Sequence, residues 1–223
     1  MCAHYETVHQ PARLRQYFGV ELPPQALRRD IWPGYLSSFI VQGGDESLQT
    51  RLGCFGLIPH WAKDAKIARQ TYNARSETVT EKPSFRDAWR AARHCIVPME
   101  SFFEPDWRSG KAVPTRIRAA DGQPLGVAGL WSWWKNPTTG EPLHSFTLLT
   151  INADPHPLMQ QFHKPGDEKR MIVILPPDRY DDWLQAGPKQ SGDFLQPYPA
   201  EALVAERPGE ASASGLSSLI GDP

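Results

Sequence analysis

The residue with the most distinctive chemical potential is a cysteine directly after the initiator methionine, in the stretch MCAHY at residues 1–5. Two interpretations are open. Cys2 is either an incidental residue of a frayed terminus or, once Met1 is removed, an N-terminus that carries an α-amine and a thiol together. An α-amine has a pKa of about 7.7–8.0, against about 10.4 for lysine, so part of it is nucleophilic near pH 7.

A carboxylate and two histidines are candidates for acid–base work. Glu104 lies in the aromatic segment SFFEPDW (101–107), either on a solvent-facing side or in a desolvated pocket that would raise its pKa. His163 ends an apolar segment just before RMIVIL (170–175), although a lone histidine is more often structural. His156, seven residues earlier, competes with His163 for any such role.

The segment YNARSET (72–78) is too polar for a core strand. It is either a solvated loop or a rim that offers Asn73, Arg75 and Glu77 to a ligand, with the guanidinium of Arg75 suited to holding a phosphate. Trp61, in a PHW loop, is the best candidate for stacking on a nucleic-acid base.

The composition fits one globular domain of 223 residues, 40% of them hydrophobic, with a net charge of −1. A nucleic-acid partner would therefore need a local basic groove. Cys54 and Cys95 lie in apolar segments as buried thiols, and the cysteine spacing fits no metal site, so neither a metal nor a cofactor is predicted. No apolar stretch approaches the ~18 residues of a membrane span, and the polar N-terminus does not resemble a signal peptide, which predicts a cytoplasmic protein.

The pattern of elements predicts an α+β fold with a β-rich core. Apolar segments separated by turns predict strands of a largely antiparallel sheet or barrel, at 37–42, 50–59, 95–99, 101–107, 114–120, 125–134, 144–153 and 170–175. Helices are predicted at 82–94, at 156–163 with Asp154 as the cap, and at 176–186. The small, polar stretch after Pro208 predicts a flexible tail over 209–223, behind a single domain at 1–208.

Five motifs resemble, in order and separation, those of the SRAP family, the SOS response-associated putative peptidases now regarded as abasic-site processing proteins. They are MC at the N-terminus, GLIPHW (56–61), YNARSET (72–78), SFFEPDW (101–107) and His163 followed by RMIVIL (170–175). The resemblance covers roughly residues 2–205.

The chain departs from the family pattern at three places. The family usually begins MCGRF, whereas this chain continues with Ala3, His4 and Tyr5. The usual Asn-x-Ala-Pro stretch reads DIWP here (30–33), which replaces an amide by an acid and adds the ring of Trp32. The segment KPGDEK (164–169) is inserted between His163 and the following strand.

The resemblance implies a small barrel-like α+β domain with a mixed or antiparallel core, short flanking helices and a positively charged cleft for single-stranded DNA. It implies that Met1 is removed and that Cys2 bonds covalently to an abasic site. Matched by motif, the residues expected in the reaction are Cys2, Asn73, Glu104 and His163. The residues expected against DNA are Arg75, Trp61, Trp32 and His4.

The two nucleophiles of an N-terminal cysteine account for such a bond. The amine attacks the C1′ aldehyde of a ring-opened abasic site to give an imine, and the thiol then closes a thiazolidine ring, which its intramolecular position favours. Glu104 and His163 would move the protons. The hypothesis is a monomeric enzyme that crosslinks itself to abasic sites in single-stranded DNA and shields them, with abasic-site lyase activity and self-removal of Met1 as side reactions.

Two alternatives stay open. One is an N-terminal-nucleophile thiol peptidase that uses Cys2, His163 and Glu104. The other is a noncovalent reader of modified DNA bases that uses Trp32, Trp61 and Arg75. The N-terminal cysteine favours the first hypothesis and the peptidase over the reader, and Arg75 with the aromatic loops favours DNA over a peptide substrate.

Overall fold

The computed structural model describes residues 2–25, 27–44 and 47–208; the tail predicted at 209–223 lies outside the described residues. The strands are β1 (Tyr5–Thr7), β2 (Asp30–Ile31), β3 (Leu36–Gln42), β4 (Leu48–Phe55), β5 (Asn73–Arg75), β6 (His94–Asp106), β7 (Val113–Ala119), β8 (Leu125–Lys135), β9 (Pro142–Asn152), β10 (Arg170–Ile172), β11 (Ile174–Leu175) and β12 (Leu203–Glu206). The α-helices are α1 (Pro11–Phe18), α2 (Arg86–Arg90) and α3 (Tyr180–Gln185). Short 3-10 helices lie at Ala65–Gln70, Met159–Gln161, Pro177–Arg179, Ser191–Phe194 and Ala200–Ala202.

Five strands close into a barrel, which confirms the predicted β-rich α+β fold with short flanking helices. They follow the order β8, β9, β4, β3 and β6, and β6 pairs with β8 to complete the ring. Four of the five contacts are antiparallel, and β4 pairs with β9 in parallel. Apolar side chains of these strands form the core, among them Phe39, Ile96, Val127 and Phe146, which are all fully buried or nearly so.

The strand β6 is longer than the barrel needs, and its second half positions the site. The sequence predicts two strands here, at 95–99 and 101–107, but the structure has one of 13 residues. Its first half closes the barrel against β8, and its second half pairs with β1 on one edge and β7 on the other. Within this second half, Phe102 pairs with both neighbours, and Glu104 pairs with Thr115 of β7 two residues further on.

The segment 73–75 is a strand, although the sequence suggests a loop or a rim. β5 pairs in parallel with β9, with Asn73 opposite Leu148. The chain reaches this position through a turn at Gly56, where φ is +118° and a Cβ would collide with the backbone of Ala68. The loop that begins there carries Trp61 and ends at β5.

Two of the predicted helices are shorter than expected. The helix predicted at 82–94 is regular only over Arg86–Arg90, because the chain before it forms successive turns around Pro83 and Phe85. The helix predicted at 156–163 is a single 3-10 turn over Met159–Gln161. Its predicted cap, Asp154, instead accepts a hydrogen bond from Lys169 N. The helix predicted at 176–186 is present as a 3-10 turn followed by α3. In the described part of the chain, every helix is too short or too polar to cross a membrane.

A histidine is buried where α3 packs against the barrel. His94 Nε2 lies 2.9 Å from the Ser191 hydroxyl, and its ring packs against Trp183 at an interplanar angle of 32°, with 3.9 Å between ring centroids. Burial lowers the pKa of His94 to about 4. The native state therefore holds this imidazole neutral, whereas the unfolded chain protonates it near pH 6.5.

Acid should therefore weaken the fold through His94. Because its folded pKa lies below its unfolded pKa, stability is complete above pH 6.5 and falls as the pH drops towards 4. Between pH 7.5 and pH 5, we expect the free energy of unfolding of the wild type to fall by about 2 kcal/mol more than that of His94→Gln, measured by urea unfolding. The exposed His9→Gln variant is the control, and an equal loss in all three proteins would contradict the assignment.

Candidate functional site

Cys2 is buried rather than frayed. Only 1% of its surface is exposed, and Asn73 Nδ2 donates a hydrogen bond of 2.8 Å to its carbonyl oxygen. The next residues are tied to β6, because Phe103 N donates to His4 O at 3.0 Å and Tyr5 pairs with Phe102. The N-terminal segment is thus held from two sides, by β5 and by β6.

Asn73 has a second group aimed at the same region. Its Oδ1 is buried and has no hydrogen-bond partner among the described residues. A buried amide oxygen without a partner costs free energy, and a ligand hydroxyl or N–H would remove that cost. Asn73 therefore anchors Cys2 with one side of its amide and offers the other side to a ligand.

Glu104 is the carboxylate whose charge acts on the Cys2 thiol. It is 1% exposed on β6, and burial raises its pKa to about 7. Burial also raises the pKa of the Cys2 thiol, and the negative charge of Glu104 raises it further. The thiol is therefore held protonated near neutral pH, while Glu104 is close to half protonated.

His163 completes this group from the loop before β10. Its Nε2 lies 3.0 Å from the carbonyl oxygen of Arg170, so this nitrogen must carry the proton and donate it. The other nitrogen, Nδ1, lies 3.5 Å from Glu104 Oε2 and presents its lone pair to that carboxyl. Burial lowers the pKa of His163, so near neutrality the pair holds its shared proton on Glu104.

The backbone at His163 is held in a strained conformation. Its φ is +63°, in the left-handed region that residues other than glycine rarely adopt. His163 N donates to Pro105 O at 2.9 Å, which ties the loop to β6 next to Glu104. Such strain persists only when the surroundings impose it, and here it aims the imidazole at the carboxyl.

His156, the competing histidine, has a structural role. Its Nε2 lies 2.8 Å from Tyr198 O, and its Nδ1 accepts from the backbone N–H groups of Leu158 and Met159. Nδ1 therefore caps the 3-10 turn while Nε2 is bonded to Tyr198 O, so both ring nitrogens are occupied. His163, unlike His156, has a ring nitrogen that faces the buried carboxyl of Glu104.

The charged residues of YNARSET form a chain of ion pairs. Arg75 Nη1 lies 2.9 Å from Glu168 Oε2, and the other oxygen of Glu168 lies 2.8 Å from Arg170 Nη1. Arg170 is almost fully buried and binds Glu77 through two hydrogen bonds of 2.8 and 3.0 Å. Glu77, which the sequence suggests as part of a ligand rim, is thus the counter-ion of Arg170, whereas Arg75 is half exposed.

The aromatic residues predicted to contact DNA lie in two places. The ring of His4 is stacked between Trp32 and Phe103, at centroid distances of 4.2 and 4.1 Å, and its Nε2 lies 2.7 Å from Asp30 Oδ1. Trp32 is 45% exposed, so its outer face is available. Trp61 is 48% exposed on the loop before β5. Trp134 Nε1 fixes this loop by donating a hydrogen bond to Ala62 O.

A cavity of about 340 Å³ opens beside Asn73 and Arg75. Its wall also carries Thr78, Lys82 and Phe85. Two cations, an amide and an aromatic ring are the groups that hold a nucleotide backbone and its base or sugar. Arg75 and Lys82 are the two cations of this lining, on a chain whose net charge is −1.

One residue at the site lies outside the set predicted from the sequence. Asp106 is fully buried two residues after Glu104, and it accepts hydrogen bonds from Arg108 and Arg207. These bonds hold its pKa well below the usual range. The backbone of Asp106 also pairs with that of Phe162, and this bridge holds β6 against the loop that carries His163. The acid–aromatic motif around it is visible in the sequence, but its partner Arg207 is 101 residues away.

Comparison with known proteins identifies the family of this chain. A model of the family described as SOS response associated peptidase (SRAP) matches residues 1–208. The chain belongs to the SRAP family. The abasic site processing protein YoqW of Bacillus subtilis is 36% identical over 173 residues, which cover 76% of this chain and 70% of YoqW. The chicken abasic site processing protein HMCES is 27% identical over 178 residues, covering 70% of this chain and 48% of HMCES.

Solved structures support the SRAP fold. A crystal structure of a Bordetella bronchiseptica protein is 46% identical, has a TM-score of 0.86, and covers 92% of this chain and 99% of that protein. A Bacteroides thetaiotaomicron protein with 22% identity and a TM-score of 0.79 shares the fold, with coverage of 92% and 91%.

The raised pKa of Glu104 should make the SRAP domain less stable in alkali. Its folded pKa of about 7 lies above its unfolded value of 4.5, so folding binds a proton and stability falls as the pH rises through 7. The Glu104→Gln variant cannot ionise at this position. Between pH 5 and pH 8, the free energy of unfolding of the wild type should therefore fall by about 2–3 kcal/mol more than that of the variant. Urea unfolding at both values measures this, with the exposed Glu81→Gln as control. A difference that does not depend on pH would show that Glu104 is ionised in the fold without penalty.

Proposed function

We propose that this protein senses abasic sites in single-stranded DNA and bonds to them covalently through Cys2 after Met1 is removed. The observation that carries the proposal is the group of side chains around Cys2: the amide of Asn73 binds its carbonyl oxygen, the buried carboxyl of Glu104 acts on its thiol, and the imidazole of His163 faces Glu104. The naming of several relatives as abasic site processing proteins supports the same substrate.

The proposed reaction begins at nitrogen. The neutral α-amine of Cys2 attacks the C1′ aldehyde of the ring-opened sugar, and the carbinolamine loses one water to form an imine. The thiol sulfur then adds to the imine carbon, and its proton passes to the imine nitrogen. The product is a thiazolidine, and the only molecule released is water.

The raised pKa of the thiol supports this order. Because burial and Glu104 keep the thiol protonated, it is a poor nucleophile before the imine forms. The amine, whose ordinary pKa is close to 8, is partly neutral at the same pH. Once the imine is present, the thiol is held next to an electrophilic carbon, and closure gains from its fixed position.

Glu104 and His163 are proposed to move the protons. Dehydration of the carbinolamine needs an acid beside the departing hydroxyl, and a carboxyl with a pKa of about 7 is half available for that role at neutral pH. The iminium N–H then gives a proton back to the Glu104 carboxylate, and the lone pair of His163 Nδ1, which faces Glu104, relays it. Schiff-base formation also permits β-elimination, so weak lyase activity belongs to the proposal, as does self-removal of Met1.

The predicted DNA contacts form the rest of the proposal. Arg75 and the cavity beside it would hold a phosphate next to the lesion. Trp61 and the outer face of Trp32, which His4 backs, would stack on flanking bases. A thiol peptidase fits the geometry less well, because it needs a thiolate and the pKa of Cys2 is raised.

The proposal predicts a heat-stable adduct between the purified protein and an oligonucleotide with one abasic site. Cys2→Ala should give no adduct, because both the thiol and the ring closure are lost. Cys2→Ser should give at most a reversible imine. Cys54→Ala, which removes another buried thiol, is the control and should react like the wild type. Denaturing gels measure the yield, and an undiminished adduct from Cys2→Ala would refute the proposal.

The acid role of Glu104 predicts a change in the pH profile. Wild-type adduct formation should slow above about pH 7 as Glu104 loses its proton, giving an alkaline limb. Glu104→Gln should react about 100-fold more slowly and lose that limb, because an amide cannot donate the proton. Single-turnover rates between pH 5.5 and pH 9 test this. A variant with the same limb as the wild type would assign the limb to another group.

A further inference from the structure

The guanidinium proposed to hold a DNA phosphate already holds an internal carboxylate. Arg75 Nη1 and Glu168 Oε2 are 2.9 Å apart, and their side chains are 47% and 38% exposed. A carboxylate on an arginine uses the same N–H donors that a phosphate oxygen would use. A phosphate that binds through Nη1 must therefore take the place of Glu168.

Glu168 is not needed to neutralise the buried charge next to it. Arg170, its other partner, is 2% exposed and has two hydrogen bonds to Glu77 and two more to Thr150. Glu168 adds a second carboxylate at 2.8 Å. When a phosphate displaces Glu168 from Arg75, the carboxylate keeps its contact with Arg170, so no buried charge is left unpaired.

The segment that carries Glu168 is built to hold this position. Lys169 N donates to Asp154 Oδ1 at 3.0 Å, and Lys169 Nζ donates to the carbonyl oxygens of His163 and Lys164. The same loop, KPGDEK (164–169), directly follows His163 and turns at Gly166, where φ is +86°. Glu168 is thus fixed to the loop that presents the site's histidine, with one oxygen towards the cavity wall at Arg75.

We propose that Glu168 is a specificity-determining residue that occupies the phosphate position on Arg75 and weakens binding to undamaged single-stranded DNA. This inference rests on the proposed function. An exposed ion pair is worth little, so a phosphate can displace it, but each displacement lowers the affinity. The lesion can offset this loss through its covalent bond to Cys2, whereas an undamaged strand cannot.

The test is the affinity for a fluorescent single-stranded oligonucleotide without a lesion, measured by anisotropy at low salt. Glu168→Gln should bind about threefold to tenfold more tightly than the wild type, because it removes the competitor and one negative charge. Asp167→Asn removes the same charge one residue away and is the matched control, with an expected gain below about twofold.

Dependence on Arg75 separates this role from a purely structural one. In an Arg75→Ala background, Glu168→Gln should gain no more than Asp167→Asn does, since there is no guanidinium left to release. Equal gains from the two variants in the wild-type background, or an undiminished gain without Arg75, would overturn the inference. So would a failure of the wild type and both variants to bind the undamaged strand. The abasic-site adduct assay tests the proposed function separately, and a normal adduct yield beside any of these results leaves that function standing.

Discussion

The site depends on one costly placement, a carboxyl group buried in the protein wall beside the second residue of the chain. Desolvation raises the pKa of Glu104 to about 7. The Cys2 thiol stays protonated because its own burial and the negative charge of Glu104 both raise its pKa. A buried carboxylate favours unfolding at alkaline pH, and an apolar residue at this place would not. The fold holds it there because β6 is paired on both edges, with β1 and with β7. Stability is given up at the residue to which the proposed reaction assigns the proton transfer.

The remaining architecture brings distant segments to that carboxyl. Closure of the five-stranded barrel leaves the second half of β6 extending beyond it, where the N-terminal segment adds as β1. The parallel pairing of β5 with β9 places the amide of Asn73 on the carbonyl of Cys2. The Asp106–Arg207 pair and the strained backbone at His163 hold the loop that carries His163 against β6. Each of these contacts joins residues far apart in sequence, so the site exists only in the folded domain.

The sequence predicts the fold class and the elements better than it predicts the site's geometry. Alternating apolar residues reveal strands, because the period is local, and five motifs point to the family. For Glu104 the sequence leaves a solvent face and a pocket equally open, since burial depends on β1 and β7. The choice between His156 and His163 depends on Tyr198 and Arg170, whose carbonyl oxygens no local pattern reveals. Glu77 is polar in a polar motif, and only the buried Arg170 makes it structural.

The most direct test of Cys2 as the reactive residue is the intact mass of the product formed with an abasic oligonucleotide, followed by mapping of the attached peptide. The reaction proposed here predicts the mass of the chain without Met1 plus the oligonucleotide, less one water, with the modification on Cys2. An adduct that retains Met1, or one that maps to a lysine, would contradict the central claim.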